Sequence, residues 1–191
     1  MLGGAPFWVA ASTRPGEEAA VAAAHADAQR AGAPSALVIA PRHLDHLPDL
    51  EALLRTHGLA SRRRSRAGRA QLAPGEVLIL DTLGELPAVF SRARFAFVGG
   101  TLAPTGGHNV LEPAYAGRAV LFGPHVEKVR EASSLLLECG GAQGVANAGE
   151  LAQLVVEWLQ DPEATAERGA TALRALARHR GATERSLALV E

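Results

Sequence analysis

The chain of 191 residues predicts an α/β fold, a parallel sheet with helices on both faces. Two features of the sequence carry that expectation. Short apolar runs alternate with longer amphipathic stretches, the pattern of repeated βα units. Runs such as Ala36-Leu37-Val38-Ile39-Ala40 are apolar without interruption, as strands covered on both faces require. The connections are short, so successive strands are expected to run parallel with right-handed crossovers.

The first strand is expected at 7–11, where Phe7-Trp8-Val9-Ala10-Ala11 forms an apolar run. A helix over 17–30 follows and is closed by Gly32. The second strand spans 36–40 and ends at Pro41, and a helix over 47–57 stops at Gly58. Residues 61–69 hold five arginines, at 62, 63, 64, 66 and 69. They read either as a polyanion patch or as an exposed strand and loop, and the lack of interleaved aromatics favours the second. Further strands are expected at 77–80, 95–98 and 119–122, with helices at 85–91, 110–116 and 127–138. A short apolar segment surrounds Val145. Leu151, Leu154, Val155 and Trp158 share one helical face, and Leu173, Leu176 and Ala177 begin a last helix.

Composition narrows the functions. The apolar fraction of 48% is enough for a sizeable core, and aromatics at 4% leave Ala, Leu and Val to fill it. Net charge is −1, which gives no electrostatic case for nucleic acid. The single cysteine, Cys139, precludes an internal disulfide or a multi-cysteine metal site and reads as a small core hydrophobe. No stretch approaches the roughly 20 apolar residues of a membrane span. The N-terminus lacks the charged and apolar regions of a signal peptide, so a soluble cytosolic chain is expected. The first strand candidate starts at Phe7, which suggests a domain cut from a longer protein.

In parallel sheets ligands bind beyond the carboxyl ends of the strands, so the loops there matter most. After the first strand come Ser12, Thr13 and a turn through Gly16 into Glu17 and Glu18. This is either a phosphate site at a helix start or an ordinary N-cap. After the second come Pro41, Arg42 and His43, with Arg42 a fixed cationic fork and His43 a proton donor or a structural hydrogen-bonder. Residues 81–86 place Gly84 in a turn where backbone can approach a ligand, and Asp81 or Thr82 as an N-cap. The loop 99–108 carries four glycines in nine residues, expected to offer close approach and unpaired N–H groups. Glu112, about one turn into the next helix, is suited to accept both hydroxyls of a ribose. Gly123-Pro124-His125 reads as a turn of weaker signal.

Together these motifs resemble those of 3-deoxy-D-manno-octulosonic acid (Kdo) transferases. The resemblance rests on Ala10-Ala11-Ser12-Thr13 with Gly16-Glu17-Glu18, Pro41-Arg42-His43, Asp81 through Leu86, and Phe97-Val98-Gly99-Gly100. Gly106 through Pro113 and Leu121 through His125 continue it, and Gly181-Ala182 are similar to the family's final helix. The resemblance implies the C-terminal, Rossmann-like half of a GT-B glycosyltransferase, a single domain over 1–191 with C-terminal helices and without the N-terminal acceptor domain. It implies a CMP-Kdo donor, lipid A precursor as acceptor in lipopolysaccharide biosynthesis, and a place at the cytoplasmic face of the inner membrane. It further implies nucleotide contacts from Pro41, Arg42, Leu83, Gly84, Glu85, Asn109, Val110, Leu111 and Glu112. Ser12, Thr13, Gly107 and His108 are added as phosphate or sugar contacts. No cofactor or metal is expected, and the catalytic base is expected in the N-terminal half, with no catalytic residue in this chain.

Two departures stand out. Leu83 replaces the usual methionine, and Val126-Glu127 follow His125 where an aromatic residue and an asparagine are usual. Two alternatives therefore remain open: a GT-B domain that uses a UDP-sugar, and a non-catalytic nucleotide-binding module.

Overall fold

The structure, a computed structural model, describes residues 4–68 and 71–188, the side chains of 180–188 excepted. Seven parallel strands form one sheet: β1 (Phe7–Thr13), β2 (Ala36–Pro41), β3 (Ser61–Arg63), β4 (Val77–Ile79), β5 (Phe95–Val98), β6 (Ala119–Phe122) and β7 (Ala142–Gly144). Their spatial order is β3-β4-β2-β1-β5-β6-β7. The helices are α1 (Glu17–Arg30), α2 (Leu47–Thr56), α3 (Leu86–Phe90), α4 (Leu111–Tyr115), α5 (Arg130–Glu138), α6 (Ala148–Gln160) and α7 (Pro162–Ala188).

The two-residue period of the strands sorts their side chains onto two cores. Trp8, Ala10, Leu37, Ile39, Phe95 and Phe97 point to the face covered by α1, α2 and α6. Phe7, Val9, Val38 and Leu78 point the other way, onto Val89 and Phe90 of α3. On that second face Val98, Val120 and Phe122 meet α4, α5 and α7. The few aromatics are concentrated rather than scattered. Trp8 stacks on Phe95 at 5.6 Å between ring centroids, and Phe95 meets Trp158 of α6 edge-on at 5.3 Å.

Several expectations needed correction. The last helix begins at Pro162, well before Leu173, because Asp161 ends α6 and accepts the Ala164 N–H through its side chain. The segment 127–138 is divided into a 3₁₀ turn, Glu127–Val129, and α5. The apolar segment near Val145 is preceded by a short edge strand, β7. Cys139 is half-buried at the C-cap of α5, not in the core, and its thiol lies 3.4 Å from the Leu136 carbonyl.

The arginine-rich segment is only partly exposed, and its charges are largely matched. Arg63 makes a two-bond fork to Glu51, Arg62 pairs with Glu76, and Arg64 pairs with Glu85. These pairs tie the β3 edge to its neighbours and leave little of a polyanion patch. Arg69 lies outside the described residues.

Candidate functional site

Strand order reverses at β1: β2 and β4 follow on one side of it, and β5, β6 and β7 on the other. Such a switch point opens a crevice between the loops that leave β1 and β5. The structure fills much of this crevice with the protein's own side chains.

Glu17, at the first turn of α1, is 2% exposed and turns its carboxylate into the loop after β5. It accepts the backbone N–H groups of Gly100 (2.7 Å), Thr101 (2.9 Å), Leu102 (2.8 Å) and Ala103 (3.2 Å), and that of Arg14 (3.0 Å). The expectation of unpaired N–H groups is therefore corrected for Gly100 through Ala103. An internal carboxylate occupies the place where an anion would sit. The glycines answer to the same crowding. A Cβ on Gly99 would lie 2.7 Å from the Ser12 carbonyl oxygen, and one on Gly100 would lie 2.7 Å from the His108 ring. A Cβ on Gly106 would meet the Lys128 side chain at 2.9 Å, and one on Gly107 would meet Val129 at the same distance. Gly123 packs against the Thr101 backbone and donates its N–H to the Thr101 hydroxyl, so Gly123-Pro124-His125 braces this loop.

At the end of β1, Ser12 adopts φ 55° and breaks the register with β2. A residue with a Cβ rarely holds this conformation, and here it marks a bulge that re-aims the strand end. Ser12 faces a cavity of about 190 Å³ lined also by Pro41, Arg42, Leu44, Thr82, Leu83 and Gly84. Loops after β1, β2 and β4 thus converge on one hollow at the carboxyl edge. Leu83, 92% exposed, and Leu44, 42% exposed, form apolar surface at its rim. Leu44 was not anticipated, because an isolated leucine in a polar loop carries no pattern. Arg42 is exposed, and no carboxylate or other side chain pairs with its guanidinium among the described residues. Its backbone N–H is fixed by the Thr13 carbonyl at 2.9 Å.

Other expected residues are placed differently. Thr13 is buried, and its hydroxyl faces Glu18 at 3.4 Å instead of the cavity. The carboxyl of Glu85 is engaged by the Thr82 hydroxyl (2.7 Å) and by Arg64 (2.9 Å), which hold it below the usual carboxylate range. It does not line the cavity. Asp81 accepts from the Ser65 N–H and hydroxyl and does not cap α3.

Asn109 and Leu111 line a separate hollow with Lys128 and Arg130, while Val110 is buried in the core. Glu112 is exposed at the start of α4 and is held by the Asn109 side-chain amide at 3.1 Å. α3 and α4 touch on one face of the sheet, with Ala116 packed against the cluster that holds Val89 and Phe90. The expected residues therefore share one edge of the sheet but not one hollow.

Imidazoles and cations gather around the filled crevice. His43 Nε2 lies 3.3 Å from Nη1 of Arg14. His46 meets Glu18 at 3.0 Å, and that bond lifts its pKa above the ordinary value. Burial pushes the His108 pKa down, and Arg14 and Arg42 add to the effect. A larger hollow of about 720 Å³ lies between α1 and α6, lined by Asp27, Gln153, Val156 and Glu157. It is a helix-side groove away from the strand ends, and its charged lining residues, Asp27, Glu157 and Asp161, are acidic and do not suit an anion. Among the described residues no group of three or more His, Cys, Asp or Glu is arranged to hold a metal. No helix there is long and apolar enough to cross a membrane.

No protein-family model matches the chain. It is 35% identical over 98% of its length to a 3-deoxy-D-manno-octulosonic acid transferase of Bordetella pertussis, covering 45% of that protein. It is 30% identical over 97% of its length to the corresponding transferase of Haemophilus influenzae, covering 44%. The chain thus spans less than half the length of these curated relatives. Among solved structures it is similar to the C-terminal CMP-Kdo binding domain of WaaA from Acinetobacter baumannii. There the TM-score is 0.81 and the identity 25%, over 90% of this chain and 89% of that one.

Proposed function

We propose that the chain, 35% and 30% identical over nearly its whole length to two 3-deoxy-D-manno-octulosonic acid transferases, is the donor-binding half of a GT-B glycosyltransferase of that family that uses CMP-Kdo. The observation that carries this reading is the cavity beyond β1, β2 and β4, where Arg42, unpaired among the described residues, and the Gly84 turn meet. Leu44 and Leu83 offer apolar surface to the flat cytosine, Arg42 meets the phosphate, and Ser12 adds a hydroxyl. Glu112, exposed at the start of α4, accepts the ribose hydroxyls.

In the complete enzyme a second, N-terminal half brings the acceptor, lipid A precursor, to this edge, at the cytoplasmic face of the inner membrane. The acceptor hydroxyl oxygen bonds to the donor's anomeric carbon as the bond from that carbon to the phosphate oxygen breaks. CMP leaves with the electron pair, and the hydroxyl proton passes to a base supplied by the other half. This chain contributes binding, orientation and fixed positive charge, which stabilises negative charge as it grows on the leaving phosphate. We assign that task to Arg42 and the neighbouring cations, without a metal or cofactor.

Calorimetric titration of CMP and UDP into the chain tests the assignment. CMP is expected to bind more tightly than UDP. Arg42→Ala and Glu112→Ala are each expected to weaken CMP binding by about 1–3 kcal/mol, the scale of hydrogen bonds to charged groups. Tighter binding of UDP points to a uridine-linked donor, and unchanged CMP affinity in both variants rejects the pocket.

A further inference from the structure

The crevice between β1 and β5 holds more positive charge than a nucleotide phosphate at Arg42 uses. Arg14 follows β1, Arg42 follows β2, and His108 and Lys128 border the loop after β5. These three strands are adjacent, and strands are spaced by about 4.8 Å. The charges of Arg14, Arg42 and Lys128 all act on the His108 imidazole, so these side chains gather at this end of the sheet.

Two of them are incompletely satisfied among the described residues. The Nε of Arg14 is buried with no hydrogen-bond partner, and its Nη1 faces only the imidazole of His43. The Nε2 of His108 is likewise buried without a partner, pressed against Gly100. With no acceptor there, the ring proton is better kept on Nδ1, the edge that remains open. The Arg14 charge acts on the His108 imidazole, so guanidinium and ring share one neighbourhood. Lys128 is seated across Gly106 by its bond to the Thr105 carbonyl at 2.7 Å, which brings a third cation to the rim.

Glu17 sharpens the point. The backbone N–H groups of Gly100 through Ala103 are already bonded to its carboxylate and cannot cradle a ligand anion. At this part of the crevice recognition of an anion falls to side chains. Without a ligand these side chains repel one another, and burial together with the charge on Arg14 and Arg42 lowers the His108 pKa.

Resting on the CMP-Kdo reading above, we propose that Arg14 and His108, with Lys128 at the rim, bind the donor's second anion, the sugar carboxylate. In a 2-ulosonic acid that carboxylate sits on the same anomeric carbon that bears the phosphate. The two anions are therefore adjacent, and two adjacent cationic positions fit them: Arg42 for the phosphate, Arg14 with His108 for the carboxylate. The pair makes the site selective for acidic over neutral sugars, because a neutral sugar leaves both groups without a partner. It also holds the anomeric carbon in a fixed attitude toward the acceptor.

The test compares CMP and CMP-Kdo by calorimetry in the wild-type chain and in Arg14→Gln, Arg14→Lys, His108→Gln and Arg42→Gln, each checked for cooperative melting. Wild type is expected to favour CMP-Kdo over CMP. That preference should fall about 10-fold or more in Arg14→Gln and His108→Gln, on the scale of one lost charged hydrogen bond, and should partly return in Arg14→Lys. As an independent readout, the His108 imidazole titration, followed by NMR, should move to higher pH with CMP-Kdo bound and much less with CMP. An unaltered preference in both glutamine variants overturns the proposal, as does an equal loss of CMP and CMP-Kdo. Failure of the parent reading looks different: wild type would then bind neither ligand, or Arg42→Gln would leave CMP affinity intact.

Discussion

His25 shows how one buried polar group sets a pH limit for the fold. It is fully buried in α1 and accepts the Trp8 indole N–H on Nδ1 at 3.3 Å, so it must stay neutral at that nitrogen. Burial lowers its pKa from 6.5 to about 4, against a small opposing contribution from the Gly75 backbone. The unfolded chain binds this proton more readily than the folded one, so stability rises with pH across that window. The contribution is fully present above about pH 6.5 and lost as pH falls toward 4. Urea denaturation between pH 7 and 4 should show a loss of about 3 kcal/mol that His25→Gln removes. A pH-independent midpoint in the wild type excludes this role. The same scale separates Arg42 from its neighbours in composition: Arg62, Arg63 and Arg64 spend their charge on Glu76, Glu51 and Glu85, and Arg42 does not.

Helix α7 is the element whose packing departs most from its local sequence. Gly169 in its interior reads as a weak point for a helix. In the structure, a Cβ there would lie 2.2 Å from the Gly117 carbonyl oxygen and 2.9 Å from the Ala119 nitrogen. Gly141 makes the same concession to Ala172, where a Cβ would approach to 2.5 Å. Backbone therefore meets backbone where α7 crosses the start of β6 and β7. Gly169→Ala is expected to destabilise the chain by about 1–3 kcal/mol through overpacking, despite the gain in helix propensity. A rise in the denaturation midpoint on that substitution would show that α7 does not sit so close. Glu17 plays the corresponding role for α1, tying the helix start to the loop after β5 through four of that loop's N–H groups.

Across the whole molecule, one sheet supports both the apolar cores and the ligand edge, so binding and stability are linked. A nucleotide bound only by the folded chain adds about 2.7 kcal/mol at a concentration of 100 Kd. For a chain of this size each kcal/mol raises Tm by roughly 2–4 °C. A shift of about 5–10 °C with CMP is expected in a thermal melt, with Arg42→Ala needing more CMP to reach it. Equal shifts in the variant and wild type at every concentration would place the nucleotide elsewhere. The sequence alone determined the class of fold, six of the strands and the edge where ligands belong, because apolar runs, breakers and strand-end motifs are local signals. Strand β7, the split before α5 and the true start of α7 escaped it, since short edge elements depend on what they pack against. Tertiary structure alone decided which polar groups remain available. Glu85 and Thr13 sit in recognisable motifs yet are consumed by Arg64, Thr82 and Glu18, and the glycine loop closes on Glu17 and His108. The physical reason is that hydrogen bonds and charge pairs form between residues distant in sequence. A motif can show which groups come to the sheet edge, but their partners are chosen only when the strands align.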